Sequence, residues 1–203
     1  MNQNGLTPLF ISCSKGYTEM VELLLKHKSN VNFITPDGET ALFSACSKGF
    51  IEVVDLLLKY NSNVNLTSKD GETPLSRACF MGYRRVVELL LKHNPDVNLS
   101  SQDEQTPLSR SCVHGHKEIV EMLLKHKANV NIKDTSDGKT PLFWACFFGH
   151  KEVADLLIMY NASLLSPTPR TLLRTGLSEQ ISKLLEKGNI EVPPPNTRNK
   201  FNL

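Results

Sequence analysis

Cys112, His114 and His116, gathered around Gly115, are the nearest this sequence comes to a metal-ligand set. A tetrahedral zinc site needs donors that converge on one point, and three donors on differently directed elements do not supply it. No zinc spacing, phosphate-cradling glycine loop or nucleophile elbow accompanies them. The expectation is therefore no metal, no cofactor and no catalytic residue. The other reactive side chains recur at a fixed interval. Cys13, Cys46, Cys79, Cys112 and Cys146 step by 33, 33, 33 and 34 residues. Packed helices lie roughly 8–10 Å apart, whereas a disulfide needs Cα atoms within about 7 Å. These thiols read as small buried hydrophobes, which suits a reducing compartment.

The elements that position them recur with the same step. A Thr-(Pro/Ala)-Leu trio begins at Thr7, Thr40, Thr73, Thr106 and Thr140. Threonine is a good N-cap, and proline fits the first helical position. Each first helix should stop about two turns later at Gly16, Gly49, Gly82, Gly115 or Gly149, since glycine permits the left-handed stop. A second helix follows, with an apolar stripe at Val21, Leu24 and Leu25 and their equivalents. Its outer face pairs Glu22 with Lys26, Asp55 with Lys59, Glu88 with Lys92 and Glu121 with Lys125. Such pairs, an acid four residues before a base, mark a solvated face and contribute ~0.2–0.5 kcal/mol each. His27, His93 and His126 recur near this helix's end, where the dipole suits an imidazole. Asp37-Gly38, Asp70-Gly71 and Asp137-Gly138 signal tight turns between units, and Asn4-Gly5 opens the first. Asp103-Glu104 departs from that pattern and leaves the fourth turn open. An extra residue within 133–136 accounts for the step of 34.

A fixed period of this length means a stack of supersecondary units that touch only their neighbours. The trios, the Gly-His at His116 and His150, and the closing Asp-Val-Asn at 96–98 resemble the ankyrin repeat. That resemblance implies an all-α repeat solenoid of paired antiparallel helices with β-turn or hairpin fingers. Residues 2–188 would form one domain, with repeats at about 2–34, 35–67, 68–100, 101–134 and 135–166. A degenerate unit at 167–188, broken by Pro167 and Pro169, would cap the stack. The remaining 189–203, with Pro193-Pro194-Pro195, reads as an extended or disordered tail. The abrupt start suggests a piece of a longer protein or array.

Bulk properties narrow the partners. A net charge of +2 on 203 residues is too small to argue for nucleic acid or anionic membrane. The apolar runs are far shorter than a membrane span. No charged-then-apolar leader precedes the first repeat, so the expected compartment is cytoplasmic or nuclear. A monomer is expected.

The informative positions vary while the frame stays fixed. In the first helix these are Ile11, Ser14 and Lys15, then Ser44, Ser47 and Lys48. Next come Arg77, Phe80 and Met81, then Arg110, Val113 and His114, and last Trp144, Phe147 and Phe148. Spacing i, i+3, i+4 puts each trio on one helix face. The resemblance implies that this face and the fingers line a concave groove for a protein or peptide partner. Apolar anchors would meet Phe80, Met81, Val113 and Trp144, and an acidic group would meet Arg77 or Arg110. Phe147 and Phe148 would either join that surface or pack under the cap. Acids in the fingers, among them Glu72, Asp103 and Glu104, would favour basic or hydrogen-bond-donor groups and repel phosphates. Rival readings are a structural spacer, or a regulatory segment of a larger protein whose enzymatic part lies elsewhere. Asn32, Asn65, Asn98 and Asn131 recur at the closing position, and read first as turn support. The resemblance adds oxygen-dependent hydroxylation as a second role. Three sequons begin at Asn65, Asn98 and Asn161; the first two coincide with those closing asparagines, and glycosylation is not expected inside a cell.

Overall fold

A computed structural model describes residue 2 and residues 5–134 and 138–162. The expected cap at 167–188 and tail at 189–203 lie outside them, as does Asp137. Among the described residues the period becomes ten helices and no strand. Five inner helices, α1 (Pro8–Lys15), α3 (Ala41–Lys48), α5 (Pro74–Met81), α7 (Pro107–Val113) and α9 (Pro141–Phe147), alternate with five outer ones. The outer helices are α2 (Thr18–Lys26), α4 (Ile51–Lys59), α6 (Arg84–Leu91), α8 (Lys117–Lys125) and α10 (Lys151–Met159). Each inner helix packs on the next inner helix and on its own outer partner, and the outer helices form a second row. The fold is the expected all-α repeat solenoid.

Each inner helix starts as its threonine requires. The Oγ1 of Thr7, Thr40, Thr73, Thr106 and Thr140 accepts the N–H three residues on, at 3.0–3.3 Å. Each cap is worth ~1 kcal/mol. α7 and α9 end one residue earlier than their siblings, but Gly115 and Gly149 keep the left-handed stop, at φ 70° and 78°. At Gly82 and Gly115 a side chain is barred twice over. Both have positive φ, and a Cβ would lie 2.6 Å from the His116 ring and 2.5 Å from the His150 ring.

The core runs the length of the stack. Leu9, Leu42, Leu75, Leu108 and Leu142 are at most 2% exposed. The five cysteines are free and fully buried beside them. Burial pushes the thiols of Cys13, Cys79 and Cys146 up to about 12, and raises those of Cys46 and Cys112 well above the ordinary value. Each outer helix seals the next: Val53, Val86, Ile119 and Val153 are at most 2% exposed, while Met20 at the same place in α2 is 47% exposed. The four outer-face acid–base pairs form at 2.6–3.4 Å. Such exposed pairs add little stability.

The fingers share one hydrogen-bonding pattern. In the second, Thr35 N–H donates to Glu39 O at 2.9 Å and Gly38 N–H to Thr35 O at 2.8 Å. The first finger repeats it with Asn2 and Leu6, so that unit is complete. The fourth resolves the open turn: Glu104 N–H donates to Ser101 O at 2.8 Å, and Glu104 takes the left-handed φ of 58° that glycine takes elsewhere. In the fifth, Gly138 N–H reaches Asp134 O across one more residue than in its siblings, which places the insertion between them.

Two further periodic features tie repeats together. After each outer helix the chain turns left-handed at Lys28, Asn61, Asn94, Lys127 and Asn161, with φ between 50° and 64°. The Oδ1 atoms of Asn32, Asn65 and Asn98 accept N–H groups of Asn63, Asp96 and Asn129 in the following repeat, at 2.8–2.9 Å. The side chain of the closing asparagine thus supports its neighbour's turn, while its backbone N–H donates to the Oδ1 two residues earlier in its own repeat. Among the described residues no helix is long and apolar enough to cross a membrane.

Candidate partner-binding groove

The trios on the inner helices come out at graded depth. Nearest the fingers stand Ile11, Ser44, Arg77, Arg110 and Trp144, which are half-buried or buried. One turn on, at the helix ends, stand Lys15, Lys48, Met81, His114 and Phe148, and all five are exposed. Because inner helices stack side by side, these five form a row across the repeats. The row is basic at its first two places and apolar or aromatic at the others.

Arg110 departs from the expected role of meeting a partner's acid. It is buried at 7% exposure, and its Nη2 lies 2.7 Å from Glu72 Oε1 and 3.2 Å from both Asp103 oxygens. Ser101 Oγ accepts from the same nitrogen at 3.2 Å and also bonds Asp103. The charge is neutralised within the stack, because a buried guanidinium without a carboxylate would be prohibitively desolvated. Glu72, expected among the exposed finger acids, is correspondingly buried at 7% exposure. Its second oxygen, Oε2, lies 3.1 Å from Arg77 Nε, an ionic contact outside good hydrogen-bond alignment. One carboxylate therefore serves two arginines from adjacent repeats.

Phe80 stands between those arginines. Its ring centroid is 5.8 Å from the Arg77 guanidinium carbon and 5.5 Å from that of Arg110, and Phe43 lies 5.6 Å from Arg77 on another side. His114 meets Phe80 edge-on at 4.6 Å. Burial lowers the His114 pKa, helped by the positive potential of His116, His150 and Arg110. His114 is thus neutral near pH 7, with an aromatic rather than ionic character.

The fifth repeat carries an aromatic group. Trp144 is half-buried because its Nε1 donates to Asp134 Oδ2 at 3.0 Å. Asp134 occupies the finger position held by Thr35, Ser68 and Ser101, and the carboxylate reaches further than a hydroxyl. Phe148 stacks on Trp144 at 6.0 Å, and Phe147 meets Phe148 edge-on at 5.0 Å. Phe147 and Phe148 remain 45% and 48% exposed, and Met81 41%. Val113 is half-buried. The trios do share one side of the stack, but Arg110 forms part of its floor rather than its surface.

The imidazoles of the two Gly-His pairs make packing contacts. His116 Nε2 lies 3.3 Å from Phe80 O, and His150 Nε2 lies 3.0 Å from Val113 O, each hydrogen-bonding the end of the preceding inner helix. Cys112 is fully buried. Among the described residues no three donors are grouped to hold a metal ion.

The sequence matches the family model for ankyrin repeats in four overlapping windows, residues 1–70, 28–101, 59–134 and 96–167. The chain belongs to the ankyrin-repeat family. A comparison with curated proteins finds no match. Ankyrin repeats are generally protein–protein interaction modules and the family is generally non-catalytic. That background gives the exposed helix-end row its functional reading.

Proposed function

We propose that this ankyrin-repeat chain is a non-catalytic module that holds a protein or peptide segment against its inner-helix face. The observation that carries this reading is the exposure of Met81 and Phe148 on the helix-end row, with Phe147 beside it, at places that hold lysine or serine in the first two repeats. Exposed apolar side chains lower solubility, and a row of them on one face marks an interaction surface. Aromatic residues and arginine also dominate binding hot spots. Arg77, Phe80, Val113, His114 and Trp144 complete the surface, and Arg110 supports it from beneath. The ligand is read as polypeptide, since the exposed finger acids Asp37, Asp70 and Asp103 oppose phosphates. A cytoplasmic or nuclear monomer remains the setting in which we place it.

The test is capture from lysate with the wild-type chain beside a Met81→Ala/Phe147→Ala/Phe148→Ala variant. The reading expects specific partners to be lost from the variant while its helical circular dichroism is unchanged. Retention of every partner by a folded variant would refute it. Hydroxylation of Asn32, Asn65, Asn98 and Asn131 is a separate proposal drawn from the family resemblance. Intact mass after incubation with the asparaginyl hydroxylase decides it, through an added oxygen or none.

A further inference from the structure

The outer-face lysines Lys26, Lys59, Lys92 and Lys125 each pair with an acid. The inner-row lysines do not. Lys15 has Glu19 four residues on, and Lys48 has Glu52, yet neither forms an ion pair among the described residues. Helix-end lysine favours the dipole, but Met81, His114 and Phe148 stand at the same place in later repeats, so helix stability does not dictate lysine there.

Beside this basic end lies Arg77. Its side chain is 32% exposed, and its one acid among the described residues is Glu72, met through Nε. Glu72 is itself shared with Arg110. Phe43 and Phe80, each within 6 Å of the guanidinium carbon, restrain the planar group. A guanidinium ordered in advance loses less entropy when it binds, and its fork matches a carboxylate in two-point contact. Beyond Arg77 the row turns apolar or aromatic, from Met81 through His114 to Phe148, with exposed Phe147 beside it.

Resting on the groove reading above, the geometry points to a polypeptide partner of defined polarity: acidic over repeats one and two and at Arg77 of repeat three, where one carboxylate sits, and apolar or aromatic from Met81 of repeat three through repeats four and five. Charge complementarity fixes the first half, and exposed apolar area fixes the second. Neighbouring helices lie about 10 Å apart, so five places span about 40 Å. About twelve extended residues cover that length. The acidic finger tips keep this charge preference local: they border the groove and would repel a partner that is acidic throughout.

Selection from a displayed library of random peptides on the full chain tests this. The expected winners carry clustered Asp or Glu on one side of an aromatic or leucine pair. Their affinity should fall roughly tenfold or more in Arg77→Met and in Lys48→Glu, as expected for losing a charge-assisted contact. It should fall also in Phe148→Ala. Lys48 is exposed and forms no ion pair among the described residues, so Lys48→Glu reads charge, and unchanged helical circular dichroism shows that the small dipole cost leaves the fold intact. Winners that need Phe148 but lack acids, or that ignore Arg77→Met and Lys48→Glu, overturn the polarity and leave the groove reading standing. Winners insensitive to all three variants, or no winners, overturn both.

Discussion

Glu72 of the third finger and Arg110 of the fourth inner helix lie 2.7 Å apart, both nearly inaccessible to water. The contact spans two repeats and joins a finger to the next unit's groove wall. Glu72→Ala leaves buried Arg110 with the more exposed Asp103 as its one carboxylate, so the array should lose ~2 kcal/mol, and urea melts should show it. A loss below about 0.5 kcal/mol, the size of an exposed pair, would mean that the pair is solvated in solution.

Lys28 and Lys127 adopt left-handed backbone at φ 60° and 64°, where their Cβ atoms crowd the chain. Lys28→Gly and Lys127→Gly should each stabilise by roughly 0.5–1 kcal/mol, less whatever glycine's unfolded-state entropy removes. Glu104→Gly, at φ 58°, should behave alike, and Asn61→Gly should do much less because asparagine tolerates this region. Urea melts of the four variants decide it. Destabilisation by Lys127→Gly would contradict the left-handed assignment.

The buried thiols set an alkaline limit. In the folded chain the pKa values of Cys13, Cys79 and Cys146 rise to about 12 and those of Cys46 and Cys112 are raised well above the ordinary value, whereas an unfolded thiol titrates near 8.5. Above that value the unfolded state loses protons that the folded state keeps, so stability falls as pH rises from about 9 toward 12. Below pH 8 this contribution is fully present. Alkylation at pH 8 should label none of the five cysteines in the native state and all of them in urea, by mass spectrometry. Rapid native labelling would show that the cysteine row is accessible.

Asn65 accepts Asp96 N–H at 2.9 Å from the next repeat. Asn65→Ala should cost ~1 kcal/mol, the usual worth of one such bond. Hydrogen exchange at Asp96 should rise with it, and unchanged exchange would show that water replaces the side chain.

The fold was legible because each repeat restates its own limits. Thr73 caps α5, Gly82 stops it, and the same pair recurs in the other units, so helix ends and register follow from local chemistry. The left-handed series from Lys28 to Asn161 was readable for the same reason. The pairing of Glu72 with Arg110 was not, because it crosses repeats. Glu72 sits in a finger among exposed acids, and nothing local marks it as buried. One signal was present: Glu72 precedes Arg77 by five residues, but Gln105 holds that place before Arg110. A neutral residue at that place leaves Arg110 to take a second carboxylate from the preceding repeat, beside Asp103 of its own finger. Likewise Asp134 betrays its bond to Trp144 only by replacing a hydroxyl.

The central claim is that partners contact the inner-helix face. A photo-crosslinking amino acid placed at Met81, on the exposed row, is compared with one at Lys59 on the outer helix α4. In lysate, the account predicts discrete crosslinked protein bands from Met81 and none from Lys59. Bands from Lys59 alone would put the binding face on the other side of the stack and contradict it.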